Sequence, residues 1–311
     1  DIPVLHHFRE VLPLWKDVDQ FHLITSSPHH LSPFTFHFSL FTFHLKMTYN
    51  WNIRTLTAAE QAIQQQLEQE LKISSASARM LVVRGIQTAE EARQFVRPSW
   101  DQLHDPFLMR DMDKAVERLH QALTQGERIL IYGDYDVDGT TAVTLMYRFL
   151  LPLTSSPHHL DYYIPDRYTE GYGVSQQGID YAHSQGCTLI ITLDCGIKAV
   201  ERVAYAASKG IDVIVCDHHT PGNELPQAVA VLNMKRNDCP YPYKDLSGCG
   251  VGFKLAQAYT QRYLASSPNS PITLLPLTQL LAMSIASDVV PLTGENRILA
   301  YYGIQQLNKQ P

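Results

Sequence analysis

The sequence predicts an α/β fold, a mainly parallel sheet with flanking helices, preceded and followed by helical segments. Short apolar runs at 129–131, 162–164, 189–193, 213–215 and 229–232 alternate with stretches of helical spacing, the pattern of βαβ units. Before residue 126 and beyond Gly248 the strand-like runs give way to helical periodicity and capping signals. Three of the apolar runs lead into acid: Asp134, Asp136 and Asp138 follow the first, Asp194 the third and Asp217 the fourth. Open parallel sheets bind ligands beyond the carboxyl ends of their strands, so these acids are predicted to share one crevice.

Taken in order, residues 1–46 hold seven of the fourteen histidines and a phenylalanine alternation from Phe34 to Phe43, and read as a non-globular or low-complexity extension. Met47 is the first methionine, and the natural chain is expected to begin there. The heptapeptide T-S-S-P-H-H-L occurs at 25–31 and again at 154–160, which suggests duplicated low-complexity sequence. Its pairs His29/His30 and His158/His159 have no carboxylates close by and are not read as metal ligands.

A helical preface is assigned to 47–126. Thr57 and Glu60 form a capping box that opens a helix ending near Leu71. A second helix at 75–83 is ended by Gly85. Thr88 and Glu91 cap a third, which stops before Pro98, and 113–123 supplies a fourth. The catalytic domain is assigned to 127–311, with later helices at 252–263, 275–286 and 295–307 and a loop at 266–271.

A chain of 311 residues, 45% hydrophobic, can bury a full core. It has no apolar run of about 18 residues and no secretion-signal pattern, so no membrane contact and a cytoplasmic location are expected. The five cysteines form no C-x-x-C pair and are predicted to be reduced core thiols. A net charge of −6 argues against a broadly basic nucleic-acid-coating surface. Bound divalent ions would change that locally, because each adds two positive charges where the acidic loops lie.

The run I-L-I-Y-G-D-Y-D-V-D-G-T-T at 129–141 carries three like charges within five residues. In a crevice such charges repel unless cations neutralise them, and hard carboxylate oxygens suit Mg²⁺ or Mn²⁺. A solvated acidic turn is the plainer alternative. Asp217-His218-His219 adds two imidazoles to the same crevice, and Asp288 leaves an apolar helix just before Pro291. Carboxylates with one or two imidazoles suit Mn²⁺-type sites, and a bridging carboxylate can hold two ions about 3.5–4 Å apart. Gly139 and the amides of Thr140 and Thr141, at a helix N-terminus, are candidates to hold a phosphate oxygen. Arg167, with Tyr168 and Tyr172 near it, offers a phosphate contact and stacking surfaces for single-stranded nucleic acid. Gly250, between Gly248 and Gly252, is a candidate for close approach to substrate, for which helix packing is the alternative.

Y-G-D-Y-D-V-D-G-T-T, L-D-C-G-I, C-D-H-H and S-D-V-V-P-L, in that order, resemble the four motifs of the DHH phosphoesterase superfamily. Segments at 84–92, 105–118, 164–174 and 246–256 resemble the RecJ family of bacterial single-strand-specific DNA exonucleases, and the match covers nearly everything after Met47. The resemblance implies a 5′ to 3′ exonuclease with two Mn²⁺ or Mg²⁺ ions. Asp136 binds one ion, Asp138 the other, and Asp194 bridges them. His218 and Asp288 complete the second site, and Asp134 is a further ligand or supports one. His219, with Asp217, lies beside the scissile phosphate. Tyr132 departs from the family pattern, which often has histidine there, and the insertion at 154–160 departs from a compact connection.

Single-stranded DNA is the implied partner, with single-strand-binding protein or a helicase as further ones. The family's DHH-associated and oligonucleotide-binding domains have no counterpart before Pro311. The expectation is therefore Mn²⁺-dependent hydrolysis with a high KM and poor processivity. Other readings are a DHH-type hydrolase of short oligonucleotides or cyclic dinucleotides, and a non-catalytic DNA-binding scaffold. A haloacid-dehalogenase-type phosphatase, also matched by D-V-D-G-T, would make Asp136 a nucleophile but leaves Asp217-His218-His219 without a role.

Overall fold

The computed structural model describes residues 54–265 and 273–309. The expectations for 1–46, for a start at Met47, for His29/His30 and for a loop at 266–271 lie outside the described residues. Contacts divide the chain between Thr55 and Leu56, and the elements below belong to the unit from Leu56 onward.

Helices α1 (Ala58–Leu71), α2 (Ser75–Val83) and α3 (Ala89–Val96) close a small apolar core of Leu67, Ala78, Leu81, Ile86 and Ala92. Both capping boxes form, with Thr57 N donating to Glu60 Oε2 at 2.9 Å and Glu91 N donating to Thr88 Oγ1 at 3.1 Å. Helix α4 (Met112–Gln125) then leads into the sheet.

Five strands, β1 (Ile129–Gly133), β2 (Leu160–Tyr163), β3 (Leu189–Leu193), β4 (Asp212–Cys216) and β5 (Ala230–Leu232), pair in parallel in the order β2-β1-β3-β4-β5. Along β1 the side chains alternate between two apolar layers. Ile129 and Ile131 pack with α4, α5 (Val137–Leu150) and α8 (Gly248–Tyr259), while Leu130 and Tyr132 pack with α6 (Gln176–Ser184) and α7 (Val200–Ser208). Burial on both faces explains why β1 and β3 read as unbroken apolar runs. Helices α9 (Thr278–Ser287) and α10 (Gly294–Lys309) extend the first layer.

Two of the boundaries that differ from the sequence reading have a clear local cause. Strand β2 starts at Leu160, not 162, because a 3₁₀ turn at Pro157–His159 delivers Leu160 opposite Ile129. Helix α8 starts at Gly248, not 252, because Ser247 caps it by accepting from Gly250 N at 3.1 Å. All five cysteines are buried as thiols. Among the described residues no helix is long and apolar enough to cross a membrane.

The chain leaves β1 toward β2 on one side and returns to β3 on the other, so the order reverses between β1 and β3. Register pairs Gly133 with Leu193 and Leu193 with Cys216, which sets Asp134, Asp194 and Asp217 in one row beyond the strand ends. That is where such sheets open a crevice.

Opposite that crevice, Arg118 fastens the strand beginnings, donating to Asp212 Oδ2 at 2.6 Å and to Glu127 at 2.7 and 3.1 Å. Burial pushes the Glu127 carboxyl up, but Arg118 outweighs it and the net shift is downward. A depressed carboxyl stabilises the fold fully above its unfolded pKa of about 4, and that contribution is lost as pH falls through the folded value. Arg118→Met is expected to lose about 1 kcal/mol at neutral pH and to give a melting temperature that falls less steeply below pH 4. Thermal melts across that range measure the slope, and an unchanged slope contradicts the assignment.

Candidate active site

Asp134 directly follows β1, and α5 begins three residues later. Gly139 makes the short connection possible: a Cβ there would lie 2.4 Å from the Asp134 carbonyl oxygen. Asp136, exposed, caps α5 by accepting from Gly139 N at 2.9 Å. Asp138 is buried and points the other way, toward the start of α8. Its Oδ2 accepts from Gly248 N at 2.7 Å, and its Oδ1 accepts from Cys249 N and Ser284 Oγ, both at 2.8 Å.

Asp194 ends β3 in the left-handed region, φ 60°, with its carboxyl buried. Gly248 lets α8 crowd against it, since a Cβ there would sit 2.4 Å from Asp194 Oδ1. Burial, with Asp138 and Asp136 adding repulsion, pushes the Asp194 carboxyl up to about 10. Asp134 is raised too, mainly by burial, with Asp136 contributing. Asp134 Oδ1 and Asp194 Oδ1 are both buried with no hydrogen-bond partner. Such orphans are rare in folded proteins and mark places where something else binds.

His218 sharpens the point. Its Nδ1 lies 3.0 Å from Leu246 O, a pure acceptor, so Nδ1 carries a proton. Nε2 therefore faces Asp194 Oδ1 at 3.2 Å, Asp288 Oδ2 at 3.7 Å and Asp138 Oδ2 at 3.9 Å. A neutral imidazole would aim its lone pair at three carboxylates, so a second proton or a cation must stand between them. Asp288 closes the far side from the C-terminal end of α9, its carboxyl raised by burial against the opposing pull of His218.

The donor atoms of Asp134, Asp136 and Asp194 lie within 4.8 Å of one another, as do those of Asp138, His218 and Asp288. Opposite ligands of a small six-coordinate ion are about 4.2 Å apart, so both triads have a suitable span. Asp194 also groups with His218 and His219, which places it between the two triads.

Asp217 takes a different part. Its Oδ1 accepts from His219 N at 3.0 Å and from His219 Nδ1 at 2.8 Å, and its Oδ2 accepts from Ile197 N at 2.9 Å. Burial works to raise Asp217, but the His219 bonds win and lower it. His219 is raised in turn, chiefly by the bond to Asp217. The Tyr172 hydroxyl stands 3.1 Å from His219 Nδ1 and 3.3 Å from Nε2.

Arg167 is exposed, with its guanidinium 5.3 Å from the ring centre of Tyr135 in the acidic loop, and Tyr168 beside it is 93% exposed. The backbone and hydroxyl groups of the other substrate-binding candidates have partners inside the protein. The Gly139 amide is taken by Asp136, the Thr140 amide by the Asp136 carbonyl, and the Thr140 and Thr141 hydroxyls return to carbonyls of α5. These donors are engaged within the fold, and the capping carboxylate occupies that helix end. Gly250 is buried with its amide on Ser247, so the close approach in this glycine run is that of Gly248 to Asp194. The haloacid-dehalogenase alternative fails on geometry, since Asp136 caps α5 and does not end β1.

Tyr132 points away from the acids into the layer of α6 and α7. Its hydroxyl donates to Gly173 O at 2.9 Å and accepts from Ser175 N at 3.0 Å. His158 and His159 belong to none of the ligand groups found among the described residues. Sequence reading missed Ser247, Ser284 and the Leu246 carbonyl, whose partners lie 28 to 146 residues away.

The description "DHH family, N-terminal domain" matches residues 128–285. The single-stranded-DNA-specific exonuclease RecJ of Bacillus subtilis (strain 168) is 42% identical over 243 residues, covering 78% of this chain and 29% of that protein. The RecJ of Escherichia coli (strain K12) is 38% identical over 241 residues, covering 74% and 40%. This chain thus spans well under half of either relative. A crystal structure of exonuclease RecJ bound to manganese aligns with a TM-score of 0.57 at 32% identity, over 67% of this chain and 50% of that one. The Mn²⁺ complex of RecJ from Thermus thermophilus aligns with a TM-score of 0.64 at 27% identity, over 80% and 34%. The family match opens one residue before β1 and closes inside α9, enclosing the acidic loop, Asp194 and Asp217-His218-His219 on a sheet of the same architecture, and the chain therefore belongs to the DHH family.

Proposed function

We propose that this protein hydrolyses single-stranded DNA from the 5′ end as a divalent-ion-dependent exonuclease. The observation that carries the chemistry is a pair of buried carboxylate oxygens without hydrogen-bond partners, on Asp134 and Asp194, the second of them facing His218 Nε2 at 3.2 Å between two ligand triads. Hard oxygen donors with one imidazole fit Mn²⁺ or Mg²⁺. On this reading Asp134, Asp136 and Asp194 hold one ion, Asp138, His218 and Asp288 the other, and Asp194 is shared. The DNA substrate is supported by the names of the relatives, and the 5′ to 3′ direction by the sequence resemblance.

Bound ions would supply Lewis acidity, stabilising charge on the phosphoryl oxygens and acidifying water at neutral pH. The protein's own groups do the rest. Asp217 fixes the His219 ring and favours its protonated form, so Nε2 can donate to a phosphate or leaving-group oxygen. Tyr172 keeps its proton, its phenol raised by burial and by Asp217, and steadies the same ring from above. Arg167 offers charge to the phosphate backbone, with Tyr135 and Tyr168 as stacking faces for bases. In cells, helicases expose single-stranded DNA and single-strand-binding protein coats it, so the same reading names those two as partners and the cytoplasm as the place of action.

Oligonucleotides labelled at either end, single-stranded or duplex, with Mn²⁺ or EDTA, test this. The expected result is early release of the 5′ label as mononucleotide, from single strands only and only with Mn²⁺. His219→Ala should slow release about 10²-fold while leaving Mn²⁺ binding in place. Cleavage confined to dinucleotides would favour the short-oligonucleotide reading, and DNA binding without any cleavage would favour the scaffold.

A further inference from the structure

We propose that Ser284, a buried residue of α9, determines the ion preference of the site by filling one oxygen of Asp138, favouring small six-coordinate ions over Ca²⁺. The proposal rests on the two-ion reading above. A carboxylate offers about four lone-pair positions, two on each oxygen. On Asp138, Oδ1 receives both Cys249 N and Ser284 Oγ at 2.8 Å, which fills it. Oδ2 receives only Gly248 N at 2.7 Å, and it is the oxygen nearer His218 Nε2, at 3.9 Å. Asp138 can therefore present one oxygen to an ion, not two. Mg²⁺ and Mn²⁺ are satisfied by single oxygens in octahedral array, whereas Ca²⁺ takes six to eight ligands and readily uses both oxygens of a carboxylate.

The hydroxyl is not free to leave. Ser284 Oγ also lies 2.7 Å from Ser247 Oγ, the cap of α8, which in turn accepts from Gly250 N at 3.1 Å. Ser284 has one hydroxyl proton and the carboxylate is the stronger acceptor, so Ser247 supplies the proton between the two serines. The result is one directed line from the Gly250 amide through Ser247 and Ser284 to Asp138, in a site with no exposure at either serine. Ser284 O also accepts from Asp288 N at 3.0 Å, so the same residue anchors a second member of that triad. Ser284 is a positioning residue in this scheme.

Calorimetric titration of the whole chain with Mn²⁺ and, separately, Ca²⁺ tests it, using the wild type, Ser284→Ala, Ser284→Cys and Ser284→Thr. Ser284→Ala releases an Oδ1 position, so the ratio of Mn²⁺ to Ca²⁺ affinity should fall about tenfold, the low end of what losing a partner of a metal ligand costs. Ser284→Thr keeps the hydroxyl and should keep the ratio. Ser284→Cys, with a weak donor of similar size, should give a smaller fall and reports in place of alanine if that variant fails to melt cooperatively. A purely structural role weakens both ions together and leaves the ratio unmoved, which would overturn the proposal. A wild type that binds neither ion would instead overturn the two-ion reading itself.

Discussion

Asp194→Asn is expected to abolish hydrolysis, slowing it by about 10³-fold or more, and at the same time to raise the melting temperature of the metal-free chain. Both effects follow from the position of one carboxylate. Losing a partner of a metal ligand costs about 10–100-fold, and on the proposed two-ion reading Asp194 is the carboxylate that both ions would share, so its loss should exceed that range. Without ions the same carboxylate is a burden. It is buried, Oδ1 has no hydrogen-bond partner, and its nearest charged neighbours include Asp138 and Asp136. Its carboxyl, pushed up to about 10, must take up a proton for the chain to fold at neutral pH, whereas the amide of asparagine needs none and can donate to those neighbours, a gain of about 1–3 kcal/mol. For a chain of this size that is roughly 2–4 °C per kcal/mol. Mn²⁺ should then stabilise the wild type, by about 2.7 kcal/mol at a hundred times its Kd, and the variant hardly at all. Calorimetry in EDTA and in Mn²⁺ reads both quantities. A variant that melts lower than wild type in EDTA would mean that the buried Asp194 carboxyl stabilises the fold by itself.

Such a trade of stability for a poised site also explains which parts of this architecture can be read from sequence. Strands β1, β3 and β4 were legible because both of their faces are buried, which writes them as continuous apolar runs, and because an acid follows each one. The capping boxes at Thr57 and Thr88 are local chemistry within four residues, and local chemistry is what a sequence displays best. Parallel register then does the rest, since aligned strand ends bring Asp134, Asp194 and Asp217 together without further information.

What stayed hidden depends on contacts across long stretches of chain. Nothing in the sequence near Leu246 announces that its carbonyl orients His218, and Ser284 looks like an ordinary small residue in an apolar helix. The helix ends misled for a related reason. A glycine-bearing helix N-terminus suggests a ligand cradle, but in α5 the amide belongs to Asp136 and in α8 the amides belong to Asp138. The acids of this crevice fill the cradles themselves, and what they leave over is a set of carboxylate oxygens.

The middle of α8 carries the second large expected effect, Lys254→Met, which should destabilise the fold by about 3–5 kcal/mol. Lys254 and Glu295 are both fully buried, with Nζ 2.6 Å from Oε1. Lys254 also donates to His104 O at 3.1 Å and Gln257 Oε1 at 2.9 Å, while Glu295 accepts from His104 N at 3.0 Å and from the Tyr241 hydroxyl at 2.7 Å. Burial works against the lysine charge, lowering its pKa, and Glu295 opposes that pull. Methionine matches the length of the stem but leaves the buried Glu295 carboxylate with no cation beside it, and the penalty is mainly that unpaired group. Lys254→Met with Glu295→Gln should therefore recover most of the loss, which a double-mutant cycle by denaturant unfolding would measure. If the double variant is as unstable as the single one, the defect is packing, and the charge pair matters little. The pair ties α8 to α10 and to the loop at His104, and the first turn of α8 is what grips Asp138. With α8 loosened the chain should then also bind Mn²⁺ more weakly, whereas Lys254→Met/Glu295→Gln, by removing the unpaired charge, should restore that affinity as well.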